Sequence, residues 1–430
     1  MEIRREEWWT CDGRGHAEAQ APAVRPAITR RGLITGAALG AVGWLSSSKA
    51  IAQMTVGPGK GDGNVLVSIF LRGGADGMNM LVPNGDDGYL RNRPLLGVAK
   101  KDTLDLDGFF GFNQALAPLV PLYREGKLAT VHACGSMDQT RSHFEAMNAM
   151  ERGLDGIKEG PVSGWLARHL INTPREKATP LRAVAFGRTM PDALRGATNA
   201  LALDSVNDFR LETPKEDQDQ MRTALADLYA SGKDPLTSAG RETLQVLGQL
   251  AKLDPASYAA SGGAVYPDSD LGKALKQVAF LIKADIGLEI ACLDKGGWDT
   301  HYGQNLGGQM TGLQDDLAKC LAAFTLDLGM ELSRVTVMVQ TEFGRRLREN
   351  QSLGTDHGRG SVMFVAGGGV KGGKVYGQWP GLADRQLDEE GDLRVTTDYR
   401  DVLSEVLSQR LGSGGEVFED YRPAGLGILA

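Results

Sequence analysis

Asn64-Val-Leu-Val-Ser-Ile-Phe-Leu71, closed by Arg72-Gly-Gly-Ala-Asp-Gly77, decides the class of fold. The run is near-continuously apolar and shows no polar–apolar alternation, so the strand it forms must be covered on both faces. Strands buried on both faces belong to parallel sheets sandwiched between helices. The glycine-rich turn behind it suits a strand that hands over to a helix. Five further runs read the same way: Leu128-Ala-Thr-Val-His-Ala133, Leu181–Phe186, Leu288-Glu-Ile-Ala-Cys-Leu293, Val335–Val339 and Val362–Val365. Between them lie helical patterns. Leu271, Leu275, Val278 and Ile282 follow a plausible N-cap at Ser269; Met310, Leu313, Leu317, Leu321 and Phe324 mark a long helix; Val402, Leu403, Val406 and Leu407 mark a C-terminal one. Strands alternating with helices predict an α/β fold with a doubly wound, mostly parallel sheet, whose functional groups gather at the carboxyl ends of the strands.

The chain has 430 residues and a net charge of −7, with no basic run, so nucleic acid is not an expected partner. Ahead of the fold, Arg30 and Arg31 sit in Thr29-Arg-Arg-Gly-Leu-Ile34, followed by an apolar run from Leu33 to Leu45 and by Ala50-Ile-Ala52. That order predicts a twin-arginine signal cleaved near Gln53, with the translocase as a transient partner and a periplasmic or secreted location. Residues 1–52 are therefore read as extension and signal, and 53–430 as a single α/β domain. Within it, residues 213–253 look helical and charged on one face, a candidate cap over the sheet. No later stretch is long and apolar enough to span a membrane. Ala259–Ala264, rich in Gly and Ser, reads as a flexible loop. Cys134, Cys292 and Cys320 match neither a disulfide framework nor a zinc ribbon, and the last two read as core residues.

Unusual polar residues follow the strands. Asp76 follows the first; Ser142 and His143 follow the second; Asp299 and His301 the fourth; Glu342 the fifth. Asp356 and His357 precede the sixth. Asp299-Thr-His301 is an i, i+2 pair, whose side chains share one side of an extended backbone and can share one metal. Asp356-His357 lies in Gly354-Thr-Asp-His-Gly-Arg-Gly360, where glycines allow close backbone approach. Carboxylates with imidazoles suit zinc, manganese or iron. Blander readings stand beside these. Arg141-Ser-His-Phe-Glu145 contains a capping box, Asp76 fits a turn, and Arg345-Arg-Leu-Arg348 fits a solvated face, with Arg345 also placed to clamp an anion. His132 and His169 read as structural.

The stretches Leu71-Arg-Gly-Gly-Ala-Asp-Gly-Met-Asn79, Thr140-Arg-Ser-His-Phe-Glu145, Gly296-Gly-Trp-Asp-Thr-His301, Thr341-Glu-Phe-Gly-Arg345 and Gly354-Thr-Asp-His-Gly358, with Thr397-Asp-Tyr-Arg400 closing the set, resemble the domain of unknown function 1501 family. That family is in turn similar to the alkaline phosphatase and sulfatase superfamily. The resemblance implies an alkaline-phosphatase-like fold, with Asp76 as the first metal-binding Asp, Ser142 as nucleophile, Asp299 and His301 as a later metal pair and His357 as the last His. Phe343 stands where a metal-binding His is expected, leaving Asp356 or His143 to replace it, and no Cys- or Ser-x-Pro-x-Arg segment is present for formylglycine. The expectation is an exported metal-dependent hydrolase of a phosphate- or sulfate-type ester. Ser142 attacks; Asp299, His301 and His357 hold a metal; Asp76 and Glu342 hold a second or shared one; Arg141 and Arg345 stabilise the developing charge. The alternative is a non-catalytic exported binding or assembly protein on the same fold. A redox protein is disfavoured, because neither a dinucleotide fingerprint nor a cysteine cluster occurs.

Overall fold

The computed structural model describes residues 63–430 apart from 157–159, 176–179, 199, 209–210, 212, 233, 251–254, 306–307, 389–390 and 420. The N-terminal extension and the twin-arginine motif lie outside the described residues. The opening apolar run forms β1 (Val65–Leu71), at the middle of the main sheet. Val65, Val67, Ile69 and Leu71 enter one hydrophobic core while Leu66 and Phe70 enter another on the opposite face. The missing alternation thus has its physical cause: each face of the strand meets its own layer of helices.

A small antiparallel sheet follows, of β2 (Leu81–Pro83), β3 (Thr103–Asp105) and β4 (Phe110–Asn113). The main sheet continues with β5 (Leu128–Gly135), β6 (Ala183–Phe186), β7 (Ala200–Leu203), β8 (Ile290–Lys295), β9 (Val335–Thr341), β10 (Ser361–Gly367), β11 (Val375–Tyr376) and β12 (Thr397–Asp398). Its order is β11-β5-β10-β9-β1-β8-β6-β7, with β12 also paired to β5. Every pairing is parallel except the two made by β10, which runs against both β9 and β5. That reversal places the start of β10 beside the end of β5, as the pairing of Ser361 with Cys134 shows.

The longer helices are α1 (His143–Arg152), α2 (Trp165–Asn172), α3 (Gln218–Tyr229), α4 (Pro235–Leu250), α5 (Asp270–Lys283), α6 (Gln309–Leu328) and α7 (Tyr399–Val406). Leu275 and Val278 of α5 and Leu321 and Phe324 of α6 fill the first core. Met150 of α1, Trp165 of α2 and Val402 and Leu403 of α7 fill the second. Burying each such side chain contributes roughly 1.5–3 kcal/mol, so the sheet is a stiff platform for the loops at its edge. Ser269 caps α5 as expected, its Oγ accepting from Gly272 N at 3.1 Å. The candidate cap at 213–253 comprises α3 and α4; Val246 and Leu250 join the first core, and α4 touches the turn Pro180–Arg182 that feeds β6. The Gly/Ser-rich segment is tied down rather than loose: buried Asp327 accepts from Ser261 N, Tyr258 Oη and Tyr266 Oη. Cys134, Cys292 and Cys320 are buried free thiols. Among the described residues, no helix is long and apolar enough to cross a membrane.

Candidate metal centre

Loops 72–76, 136–142, 296–301 and 342–345 leave the carboxyl ends of β1, β5, β8 and β9, and loop 354–360 enters β10. Because β10 is antiparallel, that last loop lies at the same edge as the other four. The residues of 298–301 alternate as an extended chain requires. Trp298 and Thr300 are buried, whereas Asp299 and His301 have 47% and 43% of their side chains exposed on the other side. Two close approaches depend on glycine. Gly73, at φ +118°, packs so tightly that a Cβ would lie 2.6 Å from the Asp299 nitrogen; a Cβ on Gly354 would lie 2.3 Å from the His301 carbonyl.

Three imidazoles converge on Asp299, each held through its Nδ1. His143 Nδ1 lies 2.7 Å from Glu342 Oε1, His301 Nδ1 lies 3.0 Å from Asp356 Oδ1, and His357 Nδ1 lies 2.7 Å from the Arg141 carbonyl. A carbonyl or carboxylate only accepts, so each Nδ1 carries a proton and each Nε2 presents a lone pair in the neutral ring. His301 Nε2 and His357 Nε2 stand 2.8 Å apart, and both face Asp299 Oδ1, at 3.1 and 3.2 Å. His143 Nε2 faces Asp299 Oδ2 at 3.5 Å and has no hydrogen-bond partner. Ligand atoms of His143, Asp299 and His357 lie within 4.8 Å of one another.

Acceptors packed against acceptors repel unless a cation lies among them. That arrangement, with every histidine held by an outer partner, suits a divalent metal: the ligand atoms of His143, Asp299 and His357 all lie close to one another, and His301 stands against them through His357 and Asp299. The ligands differ in their electrostatics. Burial works to raise the Asp299 pKa, but the Arg345 guanidinium and the neighbouring imidazoles outweigh it and hold the carboxyl down at about 2. For His143, the hydrogen bond its Nδ1 donates to Glu342 outweighs burial and raises its pKa. For His357, burial dominates and lowers it.

The structure distributes the sequence-expected residues over two shells. Asp299, His301 and His357 come together, and His143 joins them. Phe343 backs the cluster, its ring 4.8 Å from that of His143 and 4.9 Å from that of His357. Glu342 and Asp356 touch the cluster through histidine Nδ1 atoms rather than as members of the metal group. Asp76 lies elsewhere: fully buried, its Oδ2 accepts from Arg93 at 2.6 Å and Gln304 at 2.7 Å. Arg345 is not an anion clamp but a buried strut, donating to the carbonyls of Gly73, Gly74, Trp298 and Thr355 and to Asp299 Oδ1. The Arg141 guanidinium pairs with buried Asp392, and its carbonyl is what reaches the site. Ser142 occupies the N-cap position of α1, yet its hydroxyl makes no capping bond, and the Glu145 side chain is held by Thr140 Oγ1 at 2.7 Å. The capping box is thus not formed, and among the described residues the Ser142 hydroxyl makes no hydrogen bond; His143 is the next residue. Arg93 and Asp392 escaped the sequence reading, since neither lies in a patterned stretch.

The family described as "Protein of unknown function (DUF1501)" matches residues 126–420. The chain belongs to this family. No curated protein matches it in sequence. Among solved structures, it aligns with the PH0037 protein from Pyrococcus horikoshii at a TM-score of 0.29 and 10% identity, over 74% of this chain and 87% of that one. The alkaline phosphatase from the Antarctic bacterium TAB5 aligns at 0.27 and 11%, over 71% and 92%. A phosphonate monoester hydrolase from Silicibacter pomeroyi aligns at 0.29 and 11%, over 84% and 78%. Likenesses this distant transfer neither site nor activity, so chemistry has to be argued from the residues themselves.

Proposed function

We propose that this protein is an exported, metal-dependent hydrolase of phosphate- or sulfate-type esters with Ser142 as its nucleophile. The observation that carries the reading is the convergence of three imidazole Nε2 atoms on Asp299, with Ser142, whose hydroxyl makes no capping bond, next in sequence to His143. A divalent ion held by His143, Asp299, His301 and His357 would supply Lewis-acid stabilisation of the negative charge that builds on the ester oxygens. The chain's own groups do the rest. Glu342, Asp356 and the Arg141 carbonyl keep the three rings in the tautomer that offers Nε2, and Arg345 fixes the Asp299 carboxylate. Ser142 sits at the amino end of the ten-residue helix α1, where free backbone N–H groups and the helix dipole favour an anion. Only one candidate metal group occurs among the described residues, which favours single-metal chemistry. The twin-arginine motif supports passage through that translocase to the periplasm or beyond, and the ester would then be met in the cell envelope or outside it.

A second reading, a non-catalytic envelope binding protein, draws on Phe343 at an expected ligand position and on the engagement of Asp76 by Arg93. Elemental mass spectrometry of protein purified without chelators separates the two. We expect about one equivalent of zinc, manganese or iron, lost in the His301→Ala/His357→Ala variant, and loss of aryl phosphate or sulfate hydrolysis in Ser142→Ala. A folded protein that takes up no metal even from excess would sink the hydrolase, and full activity in Ser142→Ala would remove the nucleophile.

A further inference from the structure

Among the described residues, the exposed aromatic side chains are Phe144, 85% exposed, and Tyr302, 74% exposed. Each directly follows a histidine of the cluster, His143 and His301. Isolated exposed apolar residues are ordinary on a protein surface. Here, however, every other described aromatic ring is at least half covered, and the two left open both fall beside the metal group. His143 faces one oxygen of Asp299, and His301 and His357 face the other. An open ring thus follows directly in sequence on a histidine facing each oxygen of Asp299. On α1, a step of one residue turns the side chain by about 100°, so with His143 in the cluster its neighbour Phe144 stands beside it rather than beneath it. Tyr302 departs from the alternation along 298–301: it falls in step with buried Trp298 and Thr300, yet it is 74% exposed, at a bend directly after His301. The centre itself is open: Asp299, His301 and Asp356 each expose 43% or more of their side chains. Around so open a centre, exposed side chains at its edge are placed to discriminate between esters.

From this placement we infer that Phe144 and Tyr302 form an aromatic rim that selects esters carrying a flat apolar group, aryl rather than small alkyl. The inference rests on the reading of the centre as an ester-binding site and deepens it. The acidic end of the substrate meets the metal group, and its ring lies against the two exposed side chains, which prefer offset or edge-to-face contact. Both residues are specificity determinants that bind without taking part in bond making.

Calorimetric binding of phenylphosphonate and methylphosphonate to the zinc-loaded full chain tests the rim without requiring turnover, and hydrolysis of phenyl and methyl phosphate is followed in parallel. The wild type should bind the phenyl compound on the order of ten-fold more tightly, the scale of a modest apolar contact. Phe144→Ala/Tyr302→Ala should erase that preference while leaving methylphosphonate affinity, zinc content and thermal midpoint unchanged. Binding with the expected preference but without hydrolysis would keep the rim and remove the hydrolase. Binding or hydrolysis of both compounds with no aryl preference, or a preference that survives in the double variant, would overturn the rim and keep the hydrolase. Absence of binding to either would overturn both.

Discussion

Strand β8 carries a constellation of histidine, carboxylate and arginine at each end. At its amino end, Glu289 Oε1 meets His169 Nε2 at 2.8 Å, its Oε2 accepts from Arg182 at 2.6 Å and Arg175 at 2.9 Å, and His169 Nδ1 meets Ser413 Oγ at 2.6 Å. Serine, histidine and glutamate in a row have the composition of a hydrolytic triad. Yet Glu289, His169, Arg182 and Ser413 are all buried, and each acceptor already faces a donor. At the carboxyl end, Asp299, His143, His301 and His357 use the same residue types in the open, and three acceptors face acceptors. Residue identity does not separate a tie from a site; the balance of donors and acceptors does. A balanced network is complete in itself, and an unbalanced one is relieved by taking up a positive charge, a proton or a metal ion.

The largest expected effect breaks the balanced end. Glu289→Ala leaves two arginines and a histidine facing one another, one of those arginines, Arg182, fully buried; losing one partner of a buried ion network costs about 3–5 kcal/mol. Urea unfolding should show that loss, with metal content per folded molecule unchanged. Asp299→Ala should act in reverse. Its partner Arg345 is buried and loses its carboxylate but keeps four backbone carbonyls, so the metal-free protein should lose less stability than with Glu289→Ala while metal binding is lost. Equal destabilisation by the two substitutions would abolish the distinction.

Acid sharpens the same contrast. Burial would raise the Glu289 pKa, but His169, Arg182 and Arg175 outweigh it and bring it down to about 2. A carboxylate depressed in the folded state stabilises at pH above its unfolded value, roughly 4.3, and that contribution disappears as pH falls through its folded value. About 3 kcal/mol of stability should therefore drain between pH 4.5 and 2, and Glu289→Gln should flatten the profile over that window. An unchanged slope in that variant would show that other carboxylates carry the acid transition.

At the unbalanced end, the cation should stabilise. Zinc at about a hundred times its dissociation constant should add roughly 2.7 kcal/mol, visible as a higher thermal midpoint in the wild type and absent in His301→Ala/His357→Ala. A wild type indifferent to zinc would mean that the 2.8 Å approach of His301 to His357 is relieved by a shared proton instead.

These contrasts also explain what could be read from the residues alone. The six apolar strands stood out because burial on both faces forbids polar residues. Ala200–Leu203, mostly half-buried, and the two-residue strands β11 and β12 left no such trace. Asp299 and His301 were legible because spacing of two puts them on one side. Asp356 and His357, adjacent in an extended loop, cannot both point inward, and the structure sends one into the cluster and the other back to His301. The Arg345–Arg348 run looked solvated, yet Arg345 is wholly buried and Arg348 is largely exposed. Burial of an arginine depends on carbonyls distant in sequence, which no local pattern encodes. The same holds for Arg93, whose partners Asp76, Arg346 and Leu347 come from other segments.

The smallest expected effect tests the outer shell. Asp356 is half exposed, accepts from Asn350 at 3.1 Å, and holds His301 Nδ1. Burial works to raise its pKa, but His301 and Asn350 outweigh it and lower it, so it is a carboxylate at neutral pH. Asp356→Asn preserves its shape while removing the charge that keeps His301 Nδ1 protonated and makes Nε2 a better donor to metal. Zinc affinity should fall about 10- to 100-fold, with the stability of the metal-free protein unchanged, since no buried group is left unpaired. Were stability to fall instead, with zinc affinity intact, Asp356 would belong with Glu289 as a structural tie, and the boundary between the two ends of β8 would have to be redrawn through the Gly354–Gly360 loop.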